Sequence, residues 1–412
     1  MIIKGTAYID GGYKNCYIGM KDGKIEFVKK SLKTTEDVKK LDGVILPAGI
    51  DMHVHFRDPG MTEKEDFYTG SVSAACGGVT TVMDMPNTDP PTDTHSRLKE
   101  KIKISESKSV IDFGLYGLLS DDVEKMTVLT DFFKVYMAAS TGELELDWEK
   151  LDELLKKAYS HGAKVAFHCE DENFFGEKGE DLDGHDEARP IKSEMSAVEK
   201  LEDMPGGDKY ACHLTSEKSV KKAKEGEFYT EVTPHHLLLS REAFLGPFGK
   251  VNPPLRSEMK NYKLWEIFEK GEIDFLASDH APHLEEEKKD FETAPSGIPG
   301  VETLYPLMLD SVNRGKIDIK TIIETLALNP AKRLGLKRGK IKEGYDAELI
   351  NIDFRDSNAI NSERLHYKCG WSPFEGFQAI FPKYVISKGE LIVDDKEFIG
   401  EKGEGNYIGK KG

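Results

Sequence analysis

The chain has 412 residues, of which 38% are apolar and 32% charged, and its formal net charge is −17. That length suits one large domain with a smaller one beside it, and no apolar run reaches the ~18 residues that a membrane span needs. The negative charge repels nucleic acid and anionic lipid, so neither is expected as a partner.

The opening Met1-Ile2-Ile3-Lys4-Gly5 lacks the basic, apolar and small-residue order of a signal peptide, which makes a cytoplasmic enzyme the expectation. Five cysteines (Cys16, Cys76, Cys169, Cys212 and Cys369) are odd in number, widely spaced and free of any CxxC pair. A disulfide framework or zinc knuckle is therefore not expected. Gln378 is the sole glutamine while lysine and glutamate abound, a bias found in heat-adapted proteins.

Residues 1–48 read as short strands. Ile2-Ile3, Ala7-Tyr8-Ile9, Tyr17 to Met20 and Lys24 to Val28 are separated by the turn signals Gly11-Gly12 and Asp22-Gly23. Residues 336–412 read similarly, with strands at Asp346 to Ile352 and Lys383 to Ser387 and a turn at Lys388-Gly389. Neither end alone covers a core, so both are predicted to share one small β-sandwich domain.

The middle, residues 49–335, follows another rhythm. Short apolar runs alternate with segments of helical spacing such as Trp148 to Tyr159 and Glu194 to Glu202. The runs are Gly43 to Leu46, Thr80 to Met83, Asp112 to Gly117, Phe132 to Tyr136, Lys164 to Phe167, Tyr210 to His213, Tyr229 to Val232 and Ile273 to Ala277. Roughly eight β/α units predict a (β/α)₈ barrel. An open doubly wound sheet would carry a glycine-rich phosphate turn after its first strand; this chain has Met52-His53-Val54-His55-Phe56-Arg57 there. The densest charge run, Glu285 to Asp290, reads as a solvated helix or loop.

In a barrel, chemistry sits at the C-terminal strand ends. His53 and His55, two apart on an extended strand, face the same side and can hold one metal, with Arg57 continuing that face. His168 and His213 close later runs, and Asp279 closes the last. Lys134 lies inside an apolar run, between Phe133 and Val135. A neutral amine adds carbon dioxide to give a carbamate, an anion whose two oxygens bridge two cations. His53, His55, modified Lys134 and Asp279 are then candidates for one Zn²⁺, and Lys134, His168 and His213 for a second.

Asp51-Met52-His53-Val54-His55-Phe56-Arg57-Asp58-Pro59-Gly60 and Ala277-Ser278-Asp279-His280-Ala281-Pro282-His283 resemble the signatures of the dihydroorotase and allantoinase branch of the amidohydrolase superfamily. Gly77 to Thr88 and Thr233-Pro234-His235-His236-Leu237 fit as well, so the likeness spans nearly the whole chain. It implies a barrel with a flanking β domain, two zinc ions per subunit and a carboxylated Lys134. Met85-Pro86-Asn87-Thr88 and Arg57 resemble the dihydroorotase form. That form implies reversible cyclisation of N-carbamoyl-L-aspartate to L-dihydroorotate, a step of pyrimidine synthesis, by a binuclear zinc-hydroxide mechanism with Asp279 as general base and acid. Arg57, Asn87 and His283 would grip the substrate carboxylate, while Asn252 and the Ser296-Gly297 backbone would meet its ring. Some relatives hold a third zinc with a cysteine and a glutamate placed like Cys212 and Glu231. The simpler reading puts Cys212 in the outer packing layer and His235 and His236 in packing or helix entry. An allantoinase, another cyclic amidase, or a scaffold without activity are the alternatives. Association into a homo-oligomer or with other enzymes of the pathway stays open.

Overall fold

In the computed structural model, which describes residues 1–138 and 148–410, the two chain ends meet in one sheet. Strands β1 (Ile2–Ile9), β2 (Gly12–Lys21), β3 (Lys24–Lys29) and β4 (Val38–Pro47) supply half of it. The segments Leu349–Ile352, Tyr384–Ser387, Glu390–Asp394 and Glu397–Phe398 supply the rest, giving an eight-stranded mixed sheet. The seam joins β4 antiparallel to Leu349–Ile352, with Ile45 opposite Asn351. Gly43 has φ 78°, and a Cβ there would lie 2.1 Å from the carbonyl oxygen of Ile352; only glycine lets the two ends approach this closely. Gly43 to Leu46, expected to open the barrel, therefore belongs to this sheet, because its edges are taken by β1 and Leu349–Ile352.

The barrel begins one residue after β4. Strand β5 (Gly49–Val54) is buried at every position, since it meets helices on one face and the barrel interior on the other. Around it follow β6 (Val79–Asp84), β7 (Asp112–Leu115), β8 (Gly117–Leu118), β9 (Phe132–Tyr136), β10 (Lys164–His168), β11 (Asp208–Ala211), β12 (Tyr229–Val232) and β13 (Phe275–Leu276). All neighbouring pairs are parallel. The predicted third run is broken at Tyr116, so that β7 pairs with β6 and β8 with β9. The eighth run shortens to two residues, and closure passes to His280, which bridges Val54 and accepts the His55 N–H at 2.8 Å. Helices lie between the strands, including Phe67–Cys76, Trp148–Ser160 and Ile191–Glu202. This is the TIM-barrel architecture in α/β form.

Met52, Met83, Met85, Tyr116, Tyr210 and Phe275 fill the barrel interior. At one junction between barrel and mixed sheet, buried Arg338 bonds to Asp346 at 2.9 Å and also reaches Asp112 and Thr81. The run Glu285 to Asp290 is solvated as expected except at one position. It begins as a 3₁₀ turn, Glu285–Lys288, whose Lys288 is buried because it finds carbonyl acceptors inside. Among the described residues no helix is long and apolar enough to cross a membrane.

Candidate metal centre and substrate cleft

Separate strand ends deliver the candidate ligands to one cleft of about 500 Å³. His53 lies in β5 and His55 just beyond it, Lys134 in β9, and His168 at the end of β10; His213 follows β11 and Asp279 follows β13. All six line the cleft, as do Arg57, Asn87, Asn252, Ser296 and Gly297. The His53 and His55 rings sit 5.2 Å apart, as their spacing in an extended strand requires. Nε2 of each lies 3.2 Å from Asp279 Oδ1. His168 Nδ1 is 3.1 Å from His213 Nε2. Arg57, His213 and Asp279 have φ of 63°, 37° and 48°, left-handed backbone that costs ~1–3 kcal/mol at each non-glycine position and gathers at functional sites.

Outer partners set how the imidazoles face. His53 Nδ1 pairs with Glu231 Oε1 at 2.9 Å, His55 Nδ1 with Asn87 Oδ1 at 2.5 Å, and His168 Nε2 with Glu170 Oε2 at 2.7 Å. With the proton on the outer nitrogen alone, the opposite nitrogen presents a lone pair inward, the arrangement that second-shell carboxylates give metal-binding histidines. His213 Nδ1 is buried without a partner. Burial pushes His55 down to about 3 and also lowers His168 and His213. For His53 burial acts in the same direction, but Glu231 and Asp279 overcome it and raise it to about 10. Burial favours a neutral Asp279, yet His53, His55 and His213 hold it well below the usual carboxylate range. Neutral His55, His168 and His213 beside an ionised carboxylate fit divalent cations of the zinc kind, and His53 would release a proton to join them. The donor atoms of His53, His213 and Asp279 lie within 4.8 Å of one another.

Lys134 is fully buried and donates to Cys212 Sγ at 3.1 Å. Cys212 thus turns inward, against the expectation of an outer packing role, because it lies two residues after the inward Tyr210 and shares its face; His213, in left-handed backbone, lines the cleft as well. Cys212, His53 and Glu231 form a second group of donors within 4.8 Å of one another. The Glu231 carboxylate is already shared among His53, the His213 N–H and the Tyr210 hydroxyl. His235 and His236 lie in the short helix Pro234–Leu238, capped by Thr233, as packing residues.

On the substrate side, Arg57 donates to the Pro282 carbonyl at 3.2 Å and to His283 Nε2 at 3.1 Å. His283 stands behind Arg57 rather than in the cleft lining, and burial with the neighbouring Arg57 pushes it down to about 3. His185 Nε2 lies 3.0 Å from both the Asn252 Oδ1 and the Val251 carbonyl. Several neighbours escaped the sequence reading. Glu170 orients His168 and pairs with Arg189 at 2.5 Å; its place two residues after His168 was the available signal. Tyr136, two after Lys134 on the same strand, lines the cleft with a buried hydroxyl that finds no partner among the described residues.

Residues 44–392 match the model of the amidohydrolase family, to which the chain belongs. It is 39% identical to the dihydroorotase of Methanosarcina mazei over 445 aligned residues, covering all of this chain and 98% of that one. With the dihydroorotase of Thermoplasma acidophilum the identity is 40%, covering 97% and 96%; with that of Pyrococcus furiosus it is 34%, covering 100% and 97%. These relatives set the chain among the dihydroorotases of the family. Among solved structures, the L-hydantoinase (dihydropyrimidinase) of Arthrobacter aurescens superposes with a TM-score of 0.93 at 27% identity, covering 100% of this chain and 99% of that one. The dihydropyrimidinase of Brevibacillus agri gives 0.89 at 27%, covering 98% and 97%.

Proposed function

We propose that the chain catalyses the dihydroorotase reaction, the reversible closure of N-carbamoyl-L-aspartate to L-dihydroorotate with release of water. The observation that carries the reading is the meeting of four imidazoles, Lys134 and Asp279 in one cleft whose wall includes Arg57. His53, His55, Lys134 and Asp279 would hold one Zn²⁺, and Lys134, His168 and His213 the other, with Lys134 as its carbamate. When bound, such cations supply Lewis acidity toward a carbonyl oxygen and acidify water.

The protein's own groups do the rest. In the hydrolytic direction Asp279 accepts the proton of the attacking water at its carboxylate. It then gives that proton to the departing ring nitrogen, acting first as base and then as acid. Arg57 pairs with the substrate carboxylate, its guanidinium steadied by His283 and the Pro282 carbonyl. The Asn87 amide, turned by His55, joins Arg57 at the carboxylate, and Asn252, held by His185, orients the ring. Glu231 fits best as the group that orients His53; a third cation with Cys212 is the remaining use of that corner.

Residues 1–48 and 336–412 form the small domain in this reading, folded as a sandwich, and 49–335 the catalytic barrel. The test is turnover by purified, metal-analysed protein on dihydroorotate, allantoin and hydantoin. Two metals per chain and clear preference for dihydroorotate are expected. Turnover of allantoin or hydantoin alone would overturn the assignment.

A further inference from the structure

Lys288 sits within the densest charge run of the sequence, yet it is 0% exposed. Its Nζ donates to three backbone carbonyls: Pro295 at 2.8 Å, Gly297 at 3.0 Å and Lys250 at 3.2 Å. Three acceptors use every donor of an ammonium group. Among the described residues no carboxylate lies within ion-pair distance of it, so its hydrogen bonds go to loop backbone alone, with the Trp371 ring centroid 5.8 Å from the amine. A lysine buried in this way is a poor source of stability, since an apolar side chain would avoid the desolvation cost.

Its acceptors say what it is for. Pro295 and Gly297 bracket Ser296, and Lys250 precedes Val251 and Asn252; Ser296, Gly297, Val251 and Asn252 all line the cleft. The Gly297 N–H donates to the same Lys250 carbonyl at 3.0 Å. The Lys250 side chain in turn donates to the Phe291 carbonyl at 2.6 Å. Two cleft-lining loops are thereby tied to each other and to the turn that carries Lys288.

We propose that Lys288 is a positioning residue, whose buried amine fixes the spacing of the 250–252 and 295–297 loops and so presents Asn252 and the Ser296-Gly297 backbone to the substrate ring. The inference rests on the dihydroorotase reading of the cleft. The metal-holding and proton-moving groups come from other strand ends and make no bond to Lys288, so its loss acts on substrate binding first.

Lys288→Met keeps the volume and removes the donors. Since contacts to the ring that ground and transition states share are lost, KM for dihydroorotate should rise ~10-fold or more while kcat stays within ~3-fold and metal content is unchanged. Lys288→Gln, which keeps one donor group, should fall between. A KM within about twofold of wild type in the Met variant would overturn the proposal, as would a matched loss of kcat and metal. Failure of both variants to fold would make Lys288 a folding element and likewise refute the positioning role. If the wild type proves inactive on dihydroorotate, the functional reading fails, and amide exchange at residues 296–298 decides the Lys288 question separately. Faster exchange in the Met variant supports the tie, and equal exchange refutes it.

Discussion

His168 Nδ1 lies 3.1 Å from His213 Nε2, while the far nitrogen of His168 is held by Glu170 at 2.7 Å. Glu170 is in turn paired with Arg189, so the imidazole is fixed in one orientation by a buried ion pair. Groups that orient a metal-holding histidine are worth ~10–100-fold in metal affinity. Glu170→Gln should therefore weaken zinc binding by that factor in a chelator competition, with the fold retained by circular dichroism. Undiminished affinity would mean that Glu170 serves packing alone.

Asp279 touches both His53 and His55 through one oxygen. Asp279→Asn keeps the shape but removes the proton carrier, so kcat should fall by ~10²–10⁴-fold. Both metals should remain by elemental analysis, because four imidazoles and Lys134 are untouched. Near-normal turnover would transfer the proton work to another group.

Arg57 is where substrate choice is expected to reside. Arg57→Met removes a guanidinium that pairs two carboxylate oxygens. Its kcat/KM for dihydroorotate should drop ~10²-fold or more, because a site built around a charge discriminates strongly. Any basal turnover of hydantoin, which lacks the carboxylate, should change far less. Equal losses on both substrates would show that Arg57 supports the cleft as a whole.

Burial, with Lys250 nearby, pushes the Lys288 amine from its ordinary 10.5 down to about 7. Between those values the unfolded chain binds more protons than the folded one, so this residue's contribution to stability grows with rising pH. Below about pH 7 both states keep the proton and the contribution is gone. In urea unfolding, the stability of wild type relative to Lys288→Met should improve from pH 7 toward pH 10. A difference independent of pH would contradict the depressed amine.

Arg338 joins the barrel strand residue Asp112 to Asp346 beside the mixed sheet. Arg338→Ala leaves buried carboxylates uncompensated, a change worth ~3–5 kcal/mol. Equilibrium unfolding should register that loss. A cost under ~1 kcal/mol, the scale of an exposed pair, would mean that Lys388, which also bonds Asp112 at 2.8 Å, suffices.

Periodicity was enough to foresee the barrel because strands such as β9 and β10, buried on both faces, are near-continuous apolar runs. The HxH pair was legible because strand geometry fixes where residues two apart point, and His168 and His213 because they end apolar runs. What stayed hidden depends on contacts distant in sequence. Gly43 to Leu46 reads like a barrel strand until its partner at Leu349–Ile352 is known. Lys288 reads as solvated until the carbonyls of residues 250, 295 and 297 close around it. His213 follows the inward Cys212 yet also lines the cleft, in backbone with φ 37° that no residue pattern announces.

The pairing of β4 with Leu349–Ile352 also sets a timetable for synthesis. Roughly 300 residues separate the two strands, so at ~5–20 residues per second the nascent β4 waits some ~15–60 s on the ribosome for its neighbour. During that interval the edge of Val44–Pro47 that Leu349–Ile352 will cover stands unpaired, a template for pairing with another chain. Lys39, Lys40 and Asp42 put charge on the same strand just ahead of that stretch, a deterrent to misassembly until the end of the chain emerges.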